Sequence, residues 1–560
     1  MNRLRKVVFV LILLLAGFIR LYKIDKIPPS LNWDEISHGY NAYSLLKTGK
    51  DQWGVKWPVF NFRAYGDYPT TLNMYLTIPS VFFFGLNEIS VRLPAALCGI
   101  GIVILSYFLG RILLKREIEG LLLMFLAAIS PWLILPSRAV FQSTIAQFFL
   151  VAGIVFFLQF VKRKKMLLLF LSSVFLSFSQ YGYHNTRIIA PLIVLAAVVI
   201  YKKEIFRSFQ QNKIKTLLPL LIFVFLTVLQ LLNLFKPEAK ARGVWTFLID
   251  QGAINIINEQ RRTFEGSELA GKLYYNKLTY FIPRFVKNFS LYFNPLYLFK
   301  EGGSHYQFTV PGWGVLFFGW LPFFYIGLLT IIIKALQKNK DFLFIVFWWL
   351  IGLVPAAVTK DGFQAMRSMT IIPLPQLSIL MGFITFLKFF KGDRFGRFLK
   401  RLSLFCFLIY SLLHLSFYLK DLFSVYSKYY SWAWQYGYKE AVEYMKNHYA
   451  EYDRIIFTKK YGEPHEFILF YWPWEPSYYQ QDTKKVWDYH ANWYWVDAFD
   501  KFEFVNDWEV KEKINPPAGG QKSKILLITS PGNYIEGGKL LETINFLDGS
   551  KAFEVVNYEL

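Results

Sequence analysis

Two adjacent acids, Asp34 and Glu35, lie shortly after the first long apolar stretch of the chain, and a third acid, Asp67, precedes the next one. A carboxylate placed beside a substrate can serve as a general acid or base. The pair follows Trp33, at the depth where lipid headgroups are expected, so Asp34, Glu35 and Asp67 are the candidate catalytic residues. The structural alternative is that each Asp is only an N-cap and that Glu35 favours a helix N-terminus.

The residues after Asp34 predict the element that would hold it. Apolar and aromatic residues recur at helical spacing as far as Lys47, and Gly49 follows as a stop signal. The sequence therefore predicts that the acid pair begins a helix in a loop that follows the first apolar stretch.

The composition indicates a polytopic α-helical membrane protein. The chain has 560 residues, of which 54% are hydrophobic and 19% aromatic, and apolar runs long enough to cross a bilayer as helix recur along it. Cys98 and Cys406 both fall inside predicted spans, so no disulfide framework is expected. We keep the N-terminal apolar run as a membrane anchor because it lacks a small-residue cleavage site.

Loop charges set the predicted number of spans at about 11. The spans are predicted near residues 7–22, 91–110, 119–136, 140–160, 166–182, 187–201, 215–235, 312–333, 341–358, 370–390 and 402–419. Alternate loops then carry most of the Lys and Arg, whereas the short loops on the other side hold Arg138, Arg187, Lys360 and Arg367. This pattern requires residues 70–86 to lie along the membrane interface rather than to cross it.

The same charge pattern predicts the orientation of the chain in the membrane and argues against nucleic-acid binding. The net charge of +23 is concentrated in short loops, where it reports topology and not a binding stripe. The N-terminus is predicted to be cytoplasmic and the C-terminal segment extracytoplasmic.

The predicted domain division is a transmembrane module over 1–419, with outer loops 23–90 and 236–311, and a small α/β domain over 420–560. Within that domain, 454–458 and 524–529 predict strands, 438–449 predicts a helix, and 516–520 predicts a break.

Several short segments, in order, resemble a known family. They are the acid pair, 76–79 (LTIP), 84–88 (FGLNE), 91–96 (VRLPAA), 137–138 (SR), 181–191 (YGYHNTRIIAP), 362–367 (GFQAMR) and 434–437 (WQYG). Together they resemble the membrane-embedded GT-C glycosyltransferases, in particular glycosyltransferase family 39, the protein O-mannosyltransferase and aminoarabinose transferase group. The resemblance covers 1–200 and 300–390 and is patchy from 420 on.

The resemblance implies a glycosyltransferase that takes a sugar from a polyprenyl-phosphate carrier and places it on a hydroxyl acceptor at the outer membrane face. Asp34 matches the acid of the family's Asp-Glu motif and is expected to be the general base. A polyprenyl phosphate is already a good leaving group, so one base suffices, and attack opposite the phosphate inverts the anomeric centre. The resemblance also implies the plasma membrane of a bacterium or archaeon.

Outer-face arginines are the expected phosphate ligands, because a guanidinium binds phosphate in a bidentate manner. The candidates are Arg63, Arg138, Arg187 and Arg367. Each has a structural alternative as an interfacial anchor or helix-end ion pair. The resemblance also implies that the long loop 236–311, which contains His305, contacts substrate, and Tyr183 and His184 are assigned the same role. The structural alternative for the long loop is a connector that rests on the membrane.

The chain departs from the family pattern at two places. No acid follows Ser137-Arg138, where Gln142 stands, and Pro69-Thr70 replaces the Lys-Pro-Pro that often begins the interfacial helix. Asp67 and Arg63 are the substitutes that the sequence offers for the missing acid and the missing phosphate contact.

Two other functions stay open. One is a flippase or transporter of lipid-linked sugars, although the predicted spans carry few charges and no P-loop is present. The other is a catalytically inactive relative that binds glycans through its outer domain. The seven His show no metal-ligand spacing, so the sequence does not indicate a divalent metal. The expected partners are membrane lipid, the lipid-linked sugar, and an acceptor that is a protein, a lipid or a glycan.

Overall fold

The computed structural model describes residues 2–66, 68–236, 243, 246–490, 493–514 and 523–559. The chain divides into two compact units. The first contains Met1–Tyr22, Leu97–Ser137 and Phe141–Leu419, and the second contains Lys23–Ala96, Arg138–Val140 and Lys420–Leu560. One boundary lies at 419 and 420, and residues 23–96 group with the C-terminal segment rather than with the helices that follow them in sequence.

Helices account for most of the described chain up to residue 420. They are α1 (Arg3–Leu21), α2 (Trp33–Thr48), α3 (Leu72–Phe84), α4 (Glu88–Leu114), α5 (Glu117–Ile129), α6 (Pro131–Ile134), α7 (Gln142–Arg163), α8 (Met166–Gly182), α9 (Thr186–Ile200), α10 (Lys202–Gln211), α11 (Lys213–Asn233), α12 (Gln251–Arg262), α13 (Glu268–Tyr274), α14 (Lys277–Leu291), α15 (Leu321–Leu336), α16 (Lys340–Ala357), α17 (Leu374–Leu387) and α18 (Arg394–Lys420). Each predicted span overlaps one of these helices or a bent pair of them.

Six described helices are long and apolar enough to cross a membrane. They are Glu88–Leu114, Gln142–Arg163, Lys213–Asn233, Phe318–Leu336, Lys340–Ala357 and Arg394–Tyr429. The pair α5 and α6 passes the same test but bends by 69° at Ser130, where Pro131 lacks the N–H that would continue the helix. Leu72–Phe84, Met166–Gly182, Thr186–Ile200 and Leu374–Leu387 are shorter apolar helices, so the number of crossings stays a prediction.

Helix α3 lies within residues 70–86, the stretch that the loop charges predict to lie along the membrane interface. Its 13 residues extend about 20 Å at the usual helical rise, which is less than the roughly 30 Å of a bilayer core.

One predicted span is wrong at its start. The stretch 312–333 becomes a helix only from Leu321, preceded by a 3₁₀ turn. The earlier residues form a loop, in which Gly312 has a φ of +81° and Gly314 packs directly on the backbone of Phe299. Gly314 fits there because it has no side chain: a Cβ at this position would lie 2.4 Å from the Phe299 carbonyl carbon.

The C-terminal segment forms a seven-stranded mixed sheet. The strands are β1 (Arg454–Thr458), β2 (Val486–His490), β3 (Trp493–Phe499), β4 (Phe502–Val505), β5 (Lys524–Thr529), β6 (Lys539–Asn545) and β7 (Lys551–Glu559), in the order β2-β3-β4-β1-β5-β7-β6. β1 pairs in parallel with β4 and β5, and the other neighbours are antiparallel. The helices here are α19 (Tyr438–Asn447), α20 (Pro464–Tyr471), α21 (Pro476–Gln481) and α22 (Val510–Ile514). The predicted break at 516–520 lies outside the described residues.

A shared core holds residues 23–96 to this sheet. Leu31, Ile36 and Tyr40 from the first segment are buried in one cluster with Phe467 of α20 and Phe504 of β4. Burial of such large side chains is the main favourable term in folding. The sequence treats the first loop and the C-terminal domain as separate parts, whereas packing makes them one unit.

A buried polar contact joins the same segments. The Gln52 amide nitrogen donates to a Glu466 carboxylate oxygen at 2.6 Å, and its amide oxygen accepts from Asn41 at 3.1 Å. All three side chains are fully buried. These hydrogen bonds favour one packing over its alternatives, because a shifted arrangement would leave the buried amide groups of Gln52 and Asn41 unpaired.

Candidate active site

The helix N-terminus that carries the acid pair is closed by a capping box. Asn32 is the N-cap: its side chain accepts from the Glu35 N–H at 2.9 Å, and a Glu35 carboxylate oxygen accepts from the Asn32 N–H at 3.1 Å. Helix α2 ends at Gly49, which has a φ of +68° and suits the left-handed cap. Because Asn32 fills the N-cap position, Asp34 is not the cap that the structural alternative proposed.

Glu35 is buried in an ion pair with Arg92. One carboxylate oxygen accepts from Arg92 Nε at 2.9 Å and the other from Arg92 Nη2 at 3.0 Å, and neither side chain is exposed to solvent. The Val140 N–H donates to the same carboxylate at 3.0 Å. Both oxygens of Glu35 are thus occupied by fixed donors, which suits a group that holds other residues in place.

The Arg92 guanidinium also gathers the chain before helix α2. Nη1 donates to the carbonyl oxygens of Ile24 and Pro28 at 2.9 and 2.8 Å, and Nη2 donates to that of Ser30. A guanidinium has five N–H donors in a planar fork, and these contacts together with Glu35 engage all of its nitrogens. Arg92 therefore fixes the loop that leads to Asp34.

Arg138, a predicted phosphate ligand, lies in the same unit and is fully buried. Its Nε and Nη2 donate to the Ile27 carbonyl oxygen at 3.1 and 2.9 Å, and its guanidinium carbon lies 5.1 Å from the Phe423 ring centre. These contacts add a second arginine that holds the loop before α2.

Asp34 itself is half-buried, next to aromatic side chains. The Tyr65 hydroxyl donates to one of its carboxylate oxygens. The Tyr65 ring lies 6.3 Å from Trp33 and 5.3 Å from Trp493, centre to centre. Asp34 is thus a half-buried carboxylate in the first turn of α2 that accepts a hydrogen bond from a tyrosine hydroxyl.

Arg63 has a different environment from the two buried arginines. Its guanidinium lies over the rings of Trp53, Tyr494 and Trp487, at 5.0, 4.2 and 5.6 Å from their centres. Aromatic faces attract a cation without neutralising its charge. Arg63 is half-buried and so keeps a positive charge at a partly open position.

Burial raises the pKa of two carboxyl groups in this unit. It raises the pKa of Asp51 from 3.8 to about 6, although the N–H groups of Val55 and Trp53 and the charge of Arg63 act in the opposite direction. Burial also raises the pKa of Glu463, which accepts from the Trp493 indole at 2.5 Å.

The remaining candidates lie in the first unit, around the segment 361–367. Arg367 pairs with Asp361 at 2.5 Å, and its carbonyl oxygen accepts from Asn185 at 3.1 Å. That contact places the turn containing Tyr183, His184 and Arg187 beside this segment. Arg187 is almost fully buried.

The loop that contains His305 lies beside the same segment. A Cβ at Gly303 would lie 3.7 Å from the Phe363 carbonyl oxygen, and Thr309 donates to the Gly303 carbonyl at 3.0 Å. The His305 ring stacks on Phe308 at 4.0 Å. The structure therefore brings Tyr183, His184, Arg187, Arg367 and His305 into one neighbourhood of the first unit.

The predicted site residues that the structure describes fall into two groups, one in each unit. Asp34, Glu35, Arg63 and Arg138 lie in the second unit, and Asp67 lies outside the described residues. In the part of the chain that is described, no three His, Cys, Asp or Glu side chains form a metal-binding group.

Sequence reasoning assigned no role to Arg92 or Tyr65. Arg92 could have been recognised from its position in the apolar run 91–96. An arginine buried in such a run requires a hydrogen-bonding or charged partner, which indicates a structural role. Nothing in the sequence pairs Tyr65 with Asp34.

The chain is similar to known proteins in part of its sequence and in its fold. The family model "Dolichyl-phosphate-mannose-protein mannosyltransferase" matches residues 10–240. No curated protein sequence matches the chain. Among solved structures, ArnT from Cupriavidus metallidurans bound to undecaprenyl phosphate is 13% identical, with a TM-score of 0.50, covering 100% of this chain and 98% of that one.

A second match is the Archaeoglobus fulgidus oligosaccharyltransferase tethered to an acceptor peptide that contains the NVT sequon. It is 13% identical, with a TM-score of 0.51 over 84% of this chain. This chain spans 63% of its length. The resemblance to GT-C glycosyltransferases is therefore confirmed, and the fold is that of a GT-C membrane protein with a C-terminal sheet domain.

Proposed function

We propose that this chain is a membrane-embedded glycosyltransferase that moves a sugar from a polyprenyl-phosphate carrier to a hydroxyl group of an acceptor. The observation that carries the proposal is the setting of Asp34. It is half-buried at a helix N-terminus, it accepts from Tyr65, and its neighbour Glu35 is locked by Arg92 and the Val140 N–H. The family match over residues 10–240 and the shared fold support the same class of reaction.

Asp34 acts as the general base in this proposal. It takes the proton of the acceptor hydroxyl while the hydroxyl oxygen attacks the anomeric carbon. The bond between that carbon and the phosphate oxygen breaks, and polyprenyl phosphate leaves with the electron pair. Attack opposite the leaving group inverts the anomeric configuration.

The other candidates take supporting roles. Glu35 and Arg138 are positioning residues, because their polar atoms are directed at fixed partners within the protein. Arg63, Arg187 and Arg367 are the proposed phosphate ligands; of these, Arg63 is held by aromatic faces, which leave its charge available for an anion. Tyr183, His184 and His305 are proposed to contact substrate, and Asp67 stays a candidate second acid.

The proposal is tested with purified protein in lipid and a panel of labelled polyprenyl-phosphate sugars. We expect release of label from one donor and, by NMR, a product of inverted anomeric configuration. A product of retained configuration would contradict single displacement by a base, and no release from any donor by folded protein would contradict the class of enzyme.

A further inference from the structure

A large groove opens on the sheet of the second unit. It has a volume of about 870 Å³, which lies within the range of small-molecule binding sites. It is lined by β3, β4, the start of β1, and the chain leading into α22. No step of the proposed reaction uses these residues.

Charge in the groove is balanced. Its lining contains equal numbers of cationic and anionic side chains, namely Arg454, Lys459, Lys484, Lys501 and Lys513 against Asp453, Asp497, Asp500, Glu503 and Glu509. Lys459, whose side chain is 7% exposed, pairs with Asp497, and Arg454 binds Glu503 through two nitrogens at 2.6 and 2.9 Å. Such a lining offers many hydrogen-bonding groups without a net field, and it suits a neutral, polyhydroxylated ligand better than a phosphate or a nucleic acid.

Two indoles lie in the same groove. Trp508 is 77% exposed, and Trp495 of β3 lies 5.5 Å below the Lys459 ammonium. An indole in a groove offers a large, rigid apolar face to a ligand. A sugar ring has an apolar C–H face and a polar edge, so it can cover an indole while its hydroxyls bond to the charged side chains.

Trp495, which lines the groove, connects it to the aromatic residues around the proposed base. Side chains alternate along a strand, so Trp493 and Trp495 share one face of β3, with ring centres 6.1 Å apart. Trp493 lies 5.3 Å from Tyr65, whose hydroxyl donates to Asp34. A row of aromatic rings thus leads from the groove to the reacting group.

We infer that the groove lined by Trp495 and Trp508 binds a neutral oligosaccharide and that this oligosaccharide is the acceptor, with one hydroxyl directed along the aromatic row toward Asp34. The acceptor role rests on the proposed function; the sugar-binding role does not.

The test uses the full-length protein without donor. Binding of neutral tetrasaccharides of glucose, mannose and N-acetylglucosamine is measured by calorimetry for wild type, Trp508→Ala and Tyr478→Ala. Tyr478 is a matched control, because it is 72% exposed in the same unit but outside the groove. We expect at least one tetrasaccharide to bind and Trp508→Ala to weaken it by about tenfold or more, while Tyr478→Ala leaves it unchanged.

Three results would overturn the inference: no tetrasaccharide binds, the two variants behave alike, or uncharged peptides of similar size bind in place of the sugars. Asp34→Asn separates this inference from the proposed function. It should keep tetrasaccharide binding and lose transfer from the donor. In the acceptor assay Trp508→Ala should raise KM for the oligosaccharide and leave kcat unchanged, and an unchanged KM would refute the acceptor role.

Discussion

At the scale of single residues, Glu35 and Arg92 show how burial gives an ion pair a structural role. A buried pair gains little net free energy, because desolvation offsets the attraction between its charges. Its value here is geometric: the Arg92 fork holds Glu35 and three carbonyl oxygens of the loop before α2 at once. This arrangement fixes the backbone on both sides of Asp34 and so determines its position.

Removing one partner of the pair should therefore destabilise the protein strongly. Arg92→Ala leaves the Glu35 carboxylate buried without its counter-charge, and we expect a loss of about 3–5 kcal/mol. Thermal and denaturant unfolding of purified protein measure it. The control is Lys439→Ala, which breaks the partly exposed pair with Glu88 in the same unit and should cost at most about 1 kcal/mol. Equal losses would contradict the account of Arg92.

Asp51 gives a prediction for pH dependence. Its pKa is raised by burial from 3.8 to about 6, so between these values the folded protein holds a proton that the unfolded chain has lost. The contribution of Asp51 to stability is therefore largest below about pH 4 and falls as the pH rises to about 6. Asp51→Asn imitates the protonated form and keeps the acceptor for the N–H groups of Trp53 and Val55.

We expect Asp51→Asn to match wild type near pH 4 and to be more stable by about 1–3 kcal/mol at pH 8. Denaturant unfolding at a series of pH values measures the difference. A difference that stays constant across this range would show that Asp51 does not titrate as described.

At the scale of elements, the N-terminus of α2 is the part that presents the proposed base. The capping box formed by Asn32 and Glu35 fixes the first turn, and a helix N-terminus in general stabilises negative charge. The acid is thus oriented by backbone geometry as well as by Tyr65.

Changing the cap should alter transfer without removing the acid. Asn32→Ala loses the bond to the Glu35 N–H, and we expect a loss of about 0.5–2 kcal/mol in stability together with a lower kcat. Asn32→Asp should restore both, because aspartate caps equally well. Steady-state kinetics and unfolding of the two variants measure this. If Asn32→Asp fails to restore kcat while stability recovers, the cap does not act through helix geometry.

Local patterns in the sequence predict several elements closely. The predicted strands 454–458 and 524–529 have the bounds of β1 and β5, and the predicted helix 438–449 becomes Tyr438–Asn447. These elements follow from alternation and periodicity within a few residues.

The site is less predictable, because long-range packing creates it. Glu35 and Arg92 are separated by 57 positions, and Trp493 reaches Tyr65 from the other end of the chain. No local pattern pairs residues at such distances. The same reason explains why the contact surface between residues 23–96 and the sheet was not predicted.

At the scale of the whole molecule, the two chain segments that form the second unit constrain the membrane topology. Residues 23–96 and 420–560 form one compact unit, so both must lie on the same side of the membrane. The loop charges predict that this side is extracytoplasmic.

Cysteine labelling tests the topology. Single cysteines at Lys50, Leu540 and Lys164 are introduced in a Cys406→Ser background, because Cys406 is exposed whereas Cys98 is buried. A membrane-impermeant reagent should label positions 50 and 540 in intact cells and position 164 only after permeabilisation. Opposite sides for 50 and 540 would contradict the compact unit, and a reversal of all three would contradict the predicted orientation.

The role of Asp34 as the base of a sugar transfer from a polyprenyl-phosphate donor is the main proposal for this protein. Its most direct test is the rate of label transfer from the active donor, in lipid, by wild type, Asp34→Asn and Asp548→Asn. The last variant removes another half-buried carboxylate in the same unit. Asp34→Asn should lose transfer by about 10²–10⁴-fold while remaining folded, and Asp548→Asn should transfer normally. Transfer near the wild-type rate by folded Asp34→Asn would contradict the claim.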